Sequence, residues 1–363
     1  MYKAAVCGKI IVHTKLIFCR AMAAIASQIG GAETATCKYG RLAGRLSGNP
    51  DGRSKLASIL KSCKTVLLDC DGVLWRGKTP IEGSAAAIQS LTDIGKDVIL
   101  LTNNSTKSRS AYVHKVKEVL GIDVPATSIF GSAFAAAKLL RSEGIPSGAL
   151  VYVVGEEGLH EELRAEGYET LGLEDSLSPF SMDSFSSSSL ESLGDIKAVV
   201  VGLDTQASYA KIARATALTR RPGVRFFATN GDTTFPAKDT LLPGAGAVLA
   251  AVEAGAGRRA EAVAGKPSGA LLSLLQEHAG VDPATALMVG DRLNTDILFG
   301  NQARSVGMES LLVLSGISSL DEVEALRVTA TGAVDAAERL GAEAEMPSCV
   351  CDSLEDVIAL LES

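Results

Sequence analysis

No stretch of 18 or more consecutive apolar residues occurs in the sequence, which argues against a membrane-spanning helix. Positive charge is not in excess either. Against 42 Asp and Glu stand 35 Lys and Arg, a formal net charge of -7, so nothing favours a nucleic-acid partner. The seven Cys (7, 19, 37, 63, 70, 349 and 351) share no recurring metal-ligand spacing, which reads as reduced thiols in an intracellular compartment. The lone Cys349-x-Cys351 pair reads as structural. His13, His114, His160 and His278 are isolated and neighbour no other candidate catalytic group. Two nucleotide-binding motifs are absent. Gly244-x-Gly246 has no strand before it and no third glycine in register. Gly265-Lys266 has Ala260 and Pro267 where a P-loop needs glycine and Ser or Thr.

What is present is a chain of 363 residues, long enough for roughly two domains, with 47% hydrophobic residues to build a sizeable core. Residues 1–50 stand apart. They hold seven basic residues and one acidic residue, Glu33, which leaves 28 basic against 41 acidic in the remainder. A basic, Ala-rich, acid-poor leader of this kind resembles an organellar transit peptide, with a disordered extension as the plainer reading, and either way it is set aside from the fold.

The chain is organised around Lys64–Trp75. Val66–Leu68 predicts a buried parallel strand. It ends in Asp69 and Asp71, with Gly72 permitting a tight turn. Two carboxylates one residue apart at a buried strand end repel each other unless a cation neutralises them, and magnesium prefers such oxygens. A solvated Asp-x-Asp-Gly turn is the plainer reading of this stretch taken alone. Further strands are expected at Asp97–Leu101, Ser128–Gly131, Ala149–Val154, Lys197–Val201, Arg225–Thr229, Ala286–Val289 and Leu311–Leu314, with helices between most of them. This alternation predicts an α/β fold with parallel sheets. Asp97–Leu101 runs into Thr102-Asn103-Asn104-Ser105, suited to an anion or to an ordinary helix cap. Ala286–Val289 runs into Gly290-Asp291 and, five residues on, Asp296. Lys266 sits in a turn before a helix. The segment 171–195 reads as irregular, and its Ser-rich run 181–189 as a surface loop.

In a parallel sheet all strand C-termini face one side, so the first, second and fourth clusters can converge. The succession Asp69-Cys-Asp-Gly-Val73, Thr102, Lys266 and Gly290-Asp291…Asp296 resembles the four motifs of the haloacid-dehalogenase superfamily, over roughly residues 55 to 363. The first two motifs lie 33 residues apart and the second and third 164 apart, which leaves room for an inserted α/β cap, the C2 arrangement, between the latter. The expected division is a core of 51–131 and 243–363 with a cap of 132–242. Closer resemblance is to the phosphoglycolate phosphatase and p-nitrophenylphosphatase group, through Asp71–Gly77, Thr102–Arg109, Ala228–Asn230, Leu242–Gly246 and Gly290–Asp296. Asn294, Asn301–Ser305 and the Ser-rich segment depart from that group's pattern.

The resemblance implies a magnesium-dependent phosphomonoester hydrolase with a Rossmann-like core. Asp69 would be the nucleophile and Asp71 the general acid and base. Asp69, the Asp71 carbonyl and Asp291 would hold the metal. Thr102, Asn103, Asn104 and Lys266 would bind phosphate, and Asp296 would orient the metal's ligands or Lys266. A phospho-receiver domain is shorter and has no acid two residues after its nucleophile. An inactive scaffold would have lost a motif residue, and none is lost. The substrate implied is phosphoglycolate, with pyridoxal phosphate or a broad range of small phosphomonoesters as the alternative. The group implies a homodimer through the cap, and the leader a chloroplast location, with a cytoplasmic one as the alternative. Lys211, Arg214 and Arg225 are the candidate cap cations for a substrate carboxylate.

Overall fold

The computed structural model describes residues 50–361 apart from 177–180, 184, 237–239 and 334. Residues 1–49 of the expected leader lie outside the described residues. Helix α1 (Pro50–Ser62), with Asp51 in its first turn and Lys61 in its last, is charged to suit its dipole. It feeds β1 (Thr65–Leu68), whose four residues are all buried, as a strand covered on both faces requires. A small flap, β2 (Trp75–Arg76) and β3 (Thr79–Pro80), is followed by α2 (Ser84–Asp93), β4 (Asp97–Thr102), α3 (Arg109–Leu120) and β5 (Ile129–Gly131). Ser108 caps α3 by accepting the Ala111 N–H, and left-handed Gly121 ends it.

Helix α4 (Ser132–Ser142) leads to a second unit. This comprises β6 (Leu150–Val154), α5 (Glu157–Ala165), β7 (Glu169–Leu171), α6 (Ser187–Glu191), β8 (Ile196–Val201), α7 (Tyr209–Thr219) and β9 (Arg225–Ala228). It continues through a hairpin, β10 (Thr234–Pro236) and β11 (Leu241–Pro243), then α8 (Ala245–Ala256) and β12 (Ala262–Val263). The chain returns to the first unit with α9 (Gly269–Ala279), β13 (Ala286–Gly290), a π-helical turn (Leu293–Ile297), α10 (Leu298–Gln302) and β14 (Glu309–Val313). A helical pair, α11 (Leu320–Gly332) and α12 (Ala336–Ala344), precedes β15 (Cys349–Cys351) and α13 (Glu355–Leu361).

The first sheet runs in the order β15-β14-β13-β1-β4-β5 and is parallel throughout. One face is packed by α1, α2, α3 and α13 around Leu56, Leu91, Val116 and Val357. The second sheet, β12-β9-β8-β6-β7, is also parallel. Its core includes Leu249 and Val252 of α8. This unit therefore continues past Leu242, where the sequence pattern placed its end, to the two-residue strand β12. At the other boundary α4 is shared. Ala133, Ala136 and Leu140 belong to one apolar cluster with Leu101 of the first sheet and Val151 and Val200 of the second.

The Ser-rich run is not wholly a loop. Ser186 Oγ accepts the Ser189 N–H and Ser189 Oγ takes the Ser186 N–H, a reciprocal cap that starts α6. Serine-rich sequence suits helix entry as well as loops, and only the arrangement in space decides between them.

Candidate functional site

The strand β1 has β13 on one side and β4 on the other, so the order of strands reverses there and a crevice opens at the C-terminal ends. Asp69 follows β1 directly and is buried. Lys266, 2% exposed, places its ammonium 2.5 Å from Asp69 Oδ1, 2.7 Å from Asp296 Oδ1 and 3.0 Å from the Leu101 carbonyl. It arrives from the turn after β12 and is clasped by Asn103. The Asn103 Oδ1 accepts the Lys266 N–H (2.8 Å) and its Nδ2 donates to the Lys266 carbonyl (3.0 Å).

Asp291 follows β13 and accepts the Ile317 N–H through Oδ2 (2.8 Å). It fits because two glycines flank it. A Cβ at Gly316, or at Gly72 with its φ of +95°, would overlap the Asp291 carboxylate. Asp296 Oδ2 accepts the Arg292 N–H (3.1 Å), which pins the π-helical turn. Asp69, Asp291 and Asp296 each offer one oxygen, all three within 4.8 Å of one another.

Three buried carboxylates thus face one ammonium. Burial holds the Asp69 carboxyl well above the usual range, against the pull of Lys266. Burial and then Asp296 push Asp291 up to about 7. Burial works against the charge of Lys266, but Asp296 and Asp69 outweigh it, so its pKa rises and the ammonium persists. Asp296 Oδ1, 2.7 Å from the Lys266 ammonium, is held in a buried ion pair. Three hard oxygen donors that converge on a site with a single ammonium fit a divalent cation such as magnesium.

The expected phosphate-binding residues stand beside Asp69. Thr102 ends β4, where its Oγ1 accepts the Asn104 N–H (3.1 Å) and lies 3.4 Å from the Tyr112 hydroxyl. Asn104 Oδ1 accepts from the Thr106 N–H and hydroxyl, so that oxygen is committed to the entry of α3. Thr102, Asn103 and Asn104 line the crevice with Asp69, Asp71 and Lys266. Asp71 Oδ1 accepts from Trp75 Nε1 at 2.9 Å and lies 3.5 Å from Lys115 Nζ.

The second unit grips this loop at several points. Asn230 Nδ2 donates to the Asn103 carbonyl (2.7 Å), and Ser105 Oγ accepts the Leu203 N–H (3.2 Å). Glu162 accepts from the Arg109 backbone N–H (2.6 Å) and pairs with its guanidinium (3.2 Å). Leu203, Asp232, Phe235 and Ala245 form the outer wall of the crevice. Arg292 closes it by donating from Nη2 to the Thr234 carbonyl (3.1 Å) and hydroxyl (3.3 Å).

Residues 66–169 match the model of the haloacid dehalogenase-like hydrolases, and residues 263–357 match a second model described as HAD-hydrolase-like. The chain belongs to the haloacid dehalogenase-like hydrolases. It is similar to a glycerol-3-phosphate phosphatase of Gallus gallus, 37% identical over 84% of this chain and 94% of that protein. It is similar also to the chloroplastic phosphoglycolate phosphatase 1A of Arabidopsis thaliana, 39% identical over 73% of this chain and 72% of that one. Among solved structures, a glycerol phosphate phosphatase from Mycobacterium tuberculosis in complex with magnesium aligns with a TM-score of 0.63. That alignment has 28% identity and covers 82% of this chain and 77% of that one.

In this family member the candidate cap cations do not reach the crevice. Lys211 is buried against Asp204 at 2.5 Å. Arg214 pairs with Asp175, and Arg225 with Glu143 and Glu261. The crevice instead carries Arg292, which sequence reasoning passed over although it lies inside the Gly290–Asp296 run. Asp232 and Thr234 were missed as well. Their only signal was proximity to the Ala228–Asn230 stretch.

Proposed function

We propose that the protein is a magnesium-dependent phosphomonoester hydrolase acting through an aspartyl phosphate, with 2-phosphoglycolate as substrate. The observation that carries this is the buried Asp69 at the C-terminal end of β1. It is held by Lys266, faces Asp291, and has Thr102 and Asn103 alongside. Asp69 Oδ bonds to phosphorus while the ester P–O bond breaks, and Asp71 gives a proton to the departing oxygen. A water then bonds to phosphorus, its proton passes to Asp71, and the bond from phosphorus to Asp69 breaks. Lys266 offsets charge on the nucleophile and the transferring group, and Thr102 and the Asn103 backbone hold phosphoryl oxygens. Asp69, the Asp71 carbonyl and Asp291 would hold magnesium, which supplies charge neutralisation between the carboxylate and the incoming phosphate.

Phosphoglycolate carries a carboxylate beside its phosphate. Arg292, the one cation other than Lys266 among the described residues lining the crevice, supports this substrate as the donor to that carboxylate. The second reading is glycerol phosphate, favoured by Asp232 and Thr234, whose oxygens suit hydroxyl groups. The plastid location rests on the leader's composition and on the chloroplastic relative. A homodimer through the second unit is the matching assembly. The outer strand β7, paired on one side only by β6, supplies an edge for it among the described residues. The deciding experiment is kcat/KM over phosphoglycolate, glycerol 3-phosphate, pyridoxal phosphate and p-nitrophenyl phosphate with magnesium. A preference for phosphoglycolate of at least about tenfold, 1.4 kcal/mol, supports the first reading. A flat profile would remove it.

A further inference from the structure

Asp71 has surroundings that the reaction above does not use. Its Oδ1 accepts from Trp75 Nε1 at 2.9 Å and lies 3.5 Å from Lys115 Nζ. The Lys115 ammonium sits 4.3 Å from the centre of the Trp75 ring and 5.8 Å from that of Tyr112. Trp75 is wholly buried and stacks on Tyr112 at 6.5 Å. The Lys115 side chain is only 13% exposed and that of Asp71 16%, so this pair is largely withdrawn from solvent, unlike an ordinary surface ion pair. The cation–π contacts fix the ammonium where a free lysine would wander.

Both contacts converge on one oxygen. Among the described residues Asp71 Oδ2 has no protein hydrogen bond, while Asp71 lines the crevice with Asp69. The sequence builds this on two elements. Trp75 lies in the flap four residues after Asp71, and Lys115 lies on α3, one turn from Tyr112, whose hydroxyl approaches Thr102.

We propose that Lys115 and Trp75 are positioning residues for Asp71, fixing Oδ1 so that Oδ2 exchanges the proton with the substrate oxygen and the attacking water. The proposal rests on the phosphatase reading. In the first half-reaction the P–O ester bond breaks and the departing oxygen takes the Asp71 proton. In the second, the water oxygen bonds to phosphorus and its proton returns to Asp71. Formation of the Asp69–phosphorus bond itself does not involve Oδ2. The two residues therefore matter most when the departing oxygen needs a proton, as an alkoxide does and p-nitrophenolate hardly does.

The test uses the full chain with magnesium and the variants Lys115→Met, Lys115→Arg and Trp75→Phe. Each is assayed for kcat and KM on an alkyl ester, glycerol 3-phosphate or phosphoglycolate, and on p-nitrophenyl phosphate. Lys115→Met and Trp75→Phe should lower the alkyl-to-aryl ratio of kcat/KM, which reports only through departure of the alcohol and not the water step common to both esters, by about 10- to 100-fold, a part of the usual acid–base contribution. Lys115→Arg should recover much of that ratio. Equal losses of kcat/KM on both esters, or a ratio that does not move, would mean a merely structural role and overturn the proposal. Trp75→Phe keeps the buried ring and removes only the N–H, so it decides the matter should Lys115→Met fold poorly. A wild-type chain inert toward every ester would instead overturn the phosphatase reading.

Discussion

Asp69 and Asp291 are both carboxylates at strand ends, yet their burial makes them behave unlike surface acids. Asp69→Asn keeps the shape and removes the attacking charge, so turnover on any phosphomonoester should fall by at least about 10³-fold. More than about a tenth of wild-type kcat in that variant would rule out the covalent route. Asp291 offers a test without turnover. Its pKa in the fold lies near 7, against an ordinary 3.8, so between those values the folded chain holds a proton that the unfolded chain has lost. Without metal, stability should therefore fall as pH rises through that window, and the fall should shrink in Asp291→Asn. Urea unfolding at several pH values in the presence of a chelator measures it. Added magnesium should reverse the trend by displacing the proton, contributing about 2.7 kcal/mol at a hundredfold excess over its Kd. A melting curve unmoved by magnesium would remove the metal from this site.

At the scale of elements, the pieces that carry chemistry were the legible ones. β1, β4 and β13 are short apolar runs with an abrupt change to acids or small polar residues, and that change is a physical necessity wherever a buried strand delivers charge to a crevice. β7 and β12, three and two residues long, have no period to detect. Helices α11 and α12 were missed, although the reciprocal cap of Ser319 and Glu322 was written in the sequence. Arg292, Asp232 and Thr234 meet only through the fold, and no local spacing announces them. Lys211 shows how an element can mislead. Its charge suggested a ligand, but α7 turns it onto Asp204 and the Gly155 carbonyl, with both side chains 1% exposed. Lys211→Met should destabilise the chain by about 3–5 kcal/mol, because Asp204 is left buried and unpaired. Replacing both residues with apolar ones should cost much less. Equilibrium unfolding of the single and double variants distinguishes the two, and a Lys211→Met variant as stable as the wild type would mean that the pair is solvated.

Across the whole molecule, two parallel sheets share one apolar cluster through α4, and the crevice lies where their strand ends face each other. The homodimer proposed above should give twice the chain mass by light scattering at micromolar concentration, and a monomeric mass would dismiss it. The grip of Asn230, Leu203 and Glu162 on residues 103–109 has a consequence for inheritance. A lid resting on a finished site can be exchanged freely, as a tool is changed on a handle. Here the loop that carries the phosphate-binding residues is itself one jaw of the joint. A foreign second unit would arrive without matching partners for the Asn103 carbonyl, Ser105 and Arg109. Chimaeras cut at the unit boundaries should therefore lose affinity for phosphate itself along with the old preference, and carrying residues 103–109 across with the donor unit should restore it. Descent would then have had to change the two halves together, so variation in one should be answered by variation in the other.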